Sequence, residues 1–396
     1  MIPLGEITWQ YTVVPVDYNF RGSIKYEILD ELFLNDPEDD ESFSRSANLD
    51  REEWQNLQNE SFLQTGYPEE IVTPSKQRGS WLVCGTLRYS DDSKNRTYGL
   101  EGAKVIAKRW FKVKTTYTNG TGYFCAGSFS SSKAKVAVKW ERADWDIRDG
   151  SYGQAYTGWD EISRGGFWNK ILTTSGREDW LFGGVHLAAM EYFYRYSAYG
   201  LRKPWSKNWF GDRRLHIGVK NKSGRAHVFD FNSIWWAAPI VIYKGQGSTN
   251  DRSIAVFGTT IHELAHVSQW YYTGSLTTWW LTAKRLVESW ATGVEYEVVK
   301  RVYGGSTYSN NYGQTRTLAS ILNSPYTPIV TDMIDTYNQV GGGRPDDRVS
   351  GYSLGQLEQA LPGNLQDWYK WRNNIRDRIS NPTEGSQLDY LFHEYD

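Results

Sequence analysis

Thr260-Ile261-His262-Glu263-Leu264-Ala265-His266 lies inside a run, Ser253 to Tyr272, whose apolar residues recur at helical spacing until Gly274 stops them. Residues four apart project from one face of a helix, a single turn from each other, so both imidazoles can reach one ion. Glu263, about 100° round the helix from His262, can touch a ligand of that ion without binding it. Neutral imidazole suits zinc, and a carboxylate so placed can take a proton from zinc-held water. Only six histidines occur in the 396 residues. Random placement gives roughly 0.005 matches to H-E-x-x-H, so the spacing carries information. The plain alternative is a helix with two ordinary histidines. Ile261, Leu264, Ala265 and Val267 argue against it, because they make the helix apolar and buried. Buried paired imidazoles need partners, and a metal is the commonest that fits.

A third ligand is expected downstream, where Ala283 to Tyr303 reads as a second helix stopped by Gly304-Gly305. It contains Arg285-Leu286-Val287-Glu288-Ser289-Trp290-Ala291-Thr292, with further carboxylates at Glu295 and Glu297. Together with the histidine motif, this stretch resembles the gluzincin metallopeptidases, the thermolysin-like clan, whose second helix supplies a zinc-binding Glu in an E-x-x-A setting. The resemblance implies that His262, His266 and Glu288 bind Zn2+, with Glu263 as general base and then acid. Glu295 and Glu297 are rivals on the same helix, and spacing favours Glu288. Thr292 departs from the family, which often carries an Asp there to orient the first histidine; that support must come from elsewhere. The family also implies an edge strand before the motif helix, pairing with an extended peptide. Pro239 to Lys244 suits that role and equally suits an ordinary core strand. An oxyanion donor is expected among Tyr or His, and Tyr352 and His393 are named for it.

A rival motif, Gly351-Tyr352-Ser353-Leu354-Gly355, matches the G-x-S-x-G elbow of serine hydrolases. The elbow needs an apolar strand before it, whereas Arg344-Pro345-Asp346-Asp347-Arg348 precedes it here. Ser353 followed by Gln356 reads as the cap of a short helix. His186, His216 and His227 read as ordinary polar contacts. Trp235-Trp236 and Trp279-Trp280 read as packing near the site.

The rest of the chain differs in texture. Residues 1–78 form an irregular opening. It holds an acidic stretch, Asp36 to Glu41, expected as a loop, and a helix expected from Asp50 to Gln64 with Asp50 and Glu53 as a capping box. In residues 79–149 the short runs Trp81–Tyr89, Ala103–Lys108, Gly122–Phe129 and Ala134–Glu141 are β-rich and separated by Gly, Asn, Asp and Ser, which suggests a small β-sandwich. Leu100-Glu101-Gly102-Ala103-Lys104-Val105 and Thr118-Asn119-Gly120-Thr121-Gly122-Tyr123-Phe124 resemble the carboxypeptidase regulatory-like, transthyretin-like domains, with Asn119 where Asp is usual. Cys84 and Cys125, the only cysteines, lie in two of these strands; a bridge between them and two buried thiols are both open. Residues 150–396 turn helical, with a helix at Val185 to Tyr196, strands at Ala226–Phe231 and Ile240–Lys244, and short helices after Pro325.

The expected fold class is therefore multidomain α+β: a small β-sandwich followed by a mostly helical zincin domain with a small mixed sheet. Forty-four Lys and Arg against 46 Asp and Glu give a formal charge of −2, which argues against nucleic acid or an anionic membrane as partner. No apolar run reaches the roughly 18 residues of a membrane span. The chain opens Met-Ile-Pro-Leu-Gly-Glu, with no charged region followed by an apolar one. Either the protein is cytosolic or a signal segment is removed. The 19 Trp and 27 Tyr, the possible bridge and the regulatory-like resemblance favour an extracytoplasmic location. The resulting expectation is a secreted zinc metallopeptidase acting on a peptide or protein, glycoproteins included. The alternative is an extracellular glycan- or protein-binding protein with an inert zincin-like domain; the intact Glu263 speaks against it.

Overall fold

Trp81–Asp91 (β1) alternates buried and outward residues along its length, the period-2 pattern of a strand with one face on a core. It organises a four-stranded sheet in the computed structural model, which describes residues 80–206, 214–228, 240–245, 252–273, 282–304, 324–338, 346–361 and 367–396, apart from 111, 152, 225, 382 and 384, and before them only 22, 59, 60 and 63. The expected Asp50 to Gln64 helix thus lies outside the described residues, save Asn59, Glu60 and Leu63, which are helical. The acidic stretch and both Trp pairs lie outside them altogether.

β1 pairs antiparallel with Arg96–Gly99 (β2) and Tyr123–Phe129 (β5), and parallel with Phe167–Leu172 (β10). A second sheet runs in the order Lys112–Tyr117 (β4), Lys104–Arg109 (β3), Lys133–Lys139 (β6), Tyr156–Ser163 (β9). Trp168 joins the two sheets: its Nε1 donates to Asp160 Oδ2 at 2.9 Å, its ring packs 5.7 Å from that of Phe124, and a Cβ on Gly158 would stand 3.5 Å from it. Cys84 and Cys125 face each other across β1 and β5 and are disulfide-bonded. In the turn before β5, Asn119 Oδ1 accepts from the Thr121 and Tyr123 amides, both at 3.0 Å, so the amide oxygen does what an Asp would do. Gly122 has a φ of +76°, and a Cβ there would meet Leu87 O at 2.0 Å.

Strand pairing runs across residue 149. β9 and β10 follow that point and return to the first two sheets. Trp145–Asp149 (β7) precedes it and leaves them for a third sheet, pairing parallel with Leu215–Ser223 (β11). That sheet has the order His227–Val228 (β12), Ile240–Gly245 (β13), β11, β7, Gly153–Gln154 (β8), and mixes parallel with antiparallel pairs. A change of residue texture marks where strands begin, but not which neighbours they choose.

Two helices close over this third sheet, and a third packs on the second of them. Arg177–Arg195 (α1) starts eight residues before the expected helix; its Gly183-Gly184 pair conceals the first turns from a periodicity reading and lets Tyr89 and Val256 approach closely. Ser253–Thr273 (α2) lies against α1, with Tyr192 Oη donating to Ser268 Oγ at 3.1 Å, and against Lys284–Tyr303 (α3). Ile329–Ile334 (α4) presses Val330 onto Gly293 of α3, where a Cβ would meet Val330 Cγ1 at 2.2 Å. Leu354–Gln359 (α5), Trp368–Arg378 (α6) and Gly385–Glu394 (α7) complete the described chain. The described protein is mixed α+β, and none of its described helices is long and apolar enough to cross a membrane.

Candidate metal centre

Helix α2 buries Ile254, Val256, Phe257, Ile261, Leu264, Ala265 and Val267, and this apolar burial fixes which way its polar residues point. Glu263 and His266 are buried with it, at 6% and 5% exposure. Across the α2–α3 contact, three atoms form a near-equilateral triangle. His262 Nε2 is 3.1 Å from His266 Nε2, and each of these nitrogens is 3.3 Å from Glu288 Oε2. A tetrahedral ion with bonds of about 2.0–2.1 Å spaces its ligand atoms about 3.3 Å apart, so this donor set fits one face of such an ion. Among the described residues, this is the single group of three or more His, Cys, Asp or Glu side chains placed to share a metal.

The two other carboxylates of α3 separate in role. Glu295, at 3% exposure, stands 3.2 Å from His262 Nδ1, on the ring nitrogen opposite the one in the triangle. Seven residues are nearly two whole turns, so Glu288 and Glu295 share a face, and the second supports the ring that the first meets. This is the orienting carboxylate that Thr292 does not provide. Glu297 points elsewhere, 3.7 Å from Lys300.

The charges are strongly coupled. Burial pushes His262 down, but hydrogen bonds to Glu288 and Glu295 and the field of Glu263 outweigh it and push the imidazole up to about 10. Burial dominates at His266 and lowers it, against the opposing contacts with Glu288 and Gln269. Glu288 would be raised by burial, yet its two histidines hold it well below the usual carboxylate range. Burial pushes Glu263 up to about 7, with Glu288 and Glu295 adding to the effect and His262 opposing it. Three carboxylates around two imidazoles make a pocket that favours a cation.

Sequence reasoning missed the tyrosine that stands here. Tyr326 places its ring 6.1 Å from that of His262 and is 37% exposed. Its segment is pinned by Ser289, the neighbour of Glu288: Ser289 Oγ donates to Pro325 O at 3.2 Å and accepts from the Thr327 amide at 3.1 Å. Of the two residues expected as oxyanion donors, Tyr352 is buried with its amide on Met333 O, and His393 is exposed on α7. Tyr326 is the tyrosine whose ring packs against that of His262.

The competing motif resolves as architecture. Ser353 Oγ accepts from the Gln356 amide while the Gln356 side chain accepts from the Ser353 amide, a capping box on α5. Gly351 has a φ of +83°, and a Cβ on Gly355 would meet Gly200 O at 2.2 Å, so both glycines are required by the backbone. His186 and His216 bind as ordinary polar residues: His186 Nε2 meets Glu101 O at 2.8 Å, and His216 Nε2 lies 3.2 Å from Arg148 and 3.5 Å from Asp146. His227 lies in β12. The strand before α2, β13, runs between β11 and β12 rather than at the rim of its sheet. Compared with family models, with curated proteins and with solved structures, the chain matches none, so the reading of this centre rests on its own residues.

Proposed function

We propose that the protein is a zinc-dependent peptidase of gluzincin type, acting on peptide or protein substrates outside the cytoplasm. The observation that carries the proposal is the triangle of His262, His266 and Glu288, set beside the buried carboxylate of Glu263. Those three residues would hold the ion. Zinc, when bound, supplies a Lewis acid that polarises a carbonyl and lowers the pKa of water.

The remaining chemistry belongs to the chain. Glu263, buried beside the two histidines, is the carboxylate that would take a proton and return it to a leaving amine. With an ion on Nε2, Glu295 would accept from the proton-bearing Nδ1 of His262 and fix the ring's orientation. Tyr326, whose ring packs against that of His262, would be the hydroxyl donor to a substrate carbonyl oxygen. The paired sheets read as a β-sandwich placed before the catalytic part, and the Cys84–Cys125 disulfide supports an oxidising compartment.

The test combines metal analysis with a peptide library. The purified chain is expected to hold one zinc and to cleave peptides in a chelator-sensitive manner. Glu263→Gln is expected to keep the zinc and lose turnover by at least about 10²–10⁴-fold, the usual range for a general base. Cleavage that survives both chelation and Glu263→Gln would overturn the reading.

A further inference from the structure

The turn between β1 and β2 reaches across to the helices of the metal centre. Asp91 builds the turn: its Oδ1 accepts from the Ser93 and Lys94 amides, both at 3.0 Å, and its Oδ2 accepts from Tyr98 Oη at 2.9 Å. The two residues at the tip then bind the start of α2. Asp92 Oδ1 accepts from the Ser253 amide at 2.7 Å and from Ser253 Oγ at 2.6 Å, and Ser93 Oγ accepts from the Ile254 amide at 3.1 Å. The Asp92 amide donates back to Ser253 Oγ at 3.2 Å.

The first amides of a helix have no partner within it, and the helix dipole makes that end positive. A carboxylate is the favoured cap, normally from the residue just before the helix. Here it comes from 161 residues earlier in the chain. Ser253, the first residue of α2, places its hydroxyl on Asp92. The same turn touches the far end of α3. Lys94 Nζ lies 4.4 Å from the ring of Tyr303, the last residue of α3, and that ring packs 5.4 Å from Phe257 of α2. One turn therefore grips the beginning of the histidine helix and the end of the glutamate helix.

We propose that the Asp91–Lys94 turn is a positioning device for the metal centre. It fixes the axial register of α2 against α3, and with it the distance between the two imidazoles and Glu288. The proposal rests on the metal-centre reading above. Asp92 and Ser93 are positioning residues that touch neither ion nor substrate. Because coupling is reciprocal, an ion held at the centre also tightens the turn's grip on Ser253.

The test uses the full chain with Zn2+ or Co2+ alone as probe. The double variant Asp92→Ala with Ser93→Ala is expected to lose about threefold to tenfold in metal affinity, less than the 10–100-fold typical of a direct partner of a ligand. Its Co2+ absorption bands should shift, and the amides of 254–257 should exchange faster in the metal-free chain. Asp92→Asn keeps the acceptor oxygen and should restore affinity and spectrum to within about twofold of wild type. Ser93→Ala alone provides a milder variant if the double one folds poorly. A double variant matching wild type in affinity, spectrum and exchange overturns the proposal alone. A wild-type chain that takes up neither ion removes the metal-centre reading, and this proposal falls with it.

Discussion

Helices α1 and α2 each bury histidine among apolar side chains, yet the two environments push the imidazole in opposite directions. His186 of α1 sits between the rings of Trp140 and Trp145, at 5.5 and 6.0 Å, with a backbone carbonyl as its polar partner. Burial pushes it down to about 4, so it stays neutral. His262 of α2 is half-buried, but it faces Glu288 and Glu295 from α3 and is pushed up to about 10. Burial alone makes a histidine a packing residue. Carboxylates arranged opposite it by a second helix make it part of a cation site, where a metal can take the place of the proton.

The largest expected effect tests the neutral member of that pair. An unfolded chain protonates His186 below its ordinary value of 6.5, whereas the folded chain resists protonation down to about 4. The unfolded state therefore binds more protons in that window, and stability falls as pH drops from about 6.5 towards 4. At 1.36 kcal/mol per pH unit the contribution lost reaches about 3 kcal/mol as an upper limit. Urea unfolding of wild type and His186→Gln at pH 7 and pH 4.5 isolates it, since all other titrating groups are common to both proteins. The variant should lose less stability on acidification. Parallel losses in the two proteins would show that His186 is not held neutral by burial.

How much of this contrast is legible in the sequence depends on how local each cause is. The i, i+4 spacing of His262 and His266 is local to one helix, and the structure brings both together with Glu288 as expected. The capping box at Ser353 is equally local, and it reads correctly from Ser353 and Gln356 alone. The role of Glu295 depends on reach across two helices, which no linear pattern encodes. Tyr326 arrives beside His262 through bonds between Ser289 and a segment about 36 residues away, so nothing near Tyr326 announces it. The pairing of β9 and β10 with earlier strands is non-local in the same sense: period-2 burial predicts a strand but leaves its partners open.

A smaller effect sharpens the other side of the comparison. If the carboxylates of α3 are what separate His262 from His186, then removing Glu295 should move His262 towards the packing type. Glu295→Ala is expected to weaken zinc binding by about 10–100-fold, because His262 loses the partner that fixes its tautomer and ring orientation. Glu295→Gln keeps a hydrogen-bonding group without the charge and should fall between alanine and wild type. Competition against a chromophoric chelator measures both. Equal affinity in all three proteins would leave the bond from Nδ1 to Glu295 without a role at the centre.

The smallest effect falls at Ser353 and separates the two motifs as the histidines separate the two helices. Its hydroxyl caps a helix of six residues, Leu354–Gln359, and loss of such a cap costs about 0.5–2 kcal/mol. Ser353→Ala should therefore lower the unfolding midpoint slightly. Because the hydroxyl is engaged with Gln356 and both flanking glycines serve the backbone, peptide cleavage should be unchanged below the new melting transition. Cleavage lost in a folded Ser353→Ala protein would reverse the ranking of the two motifs.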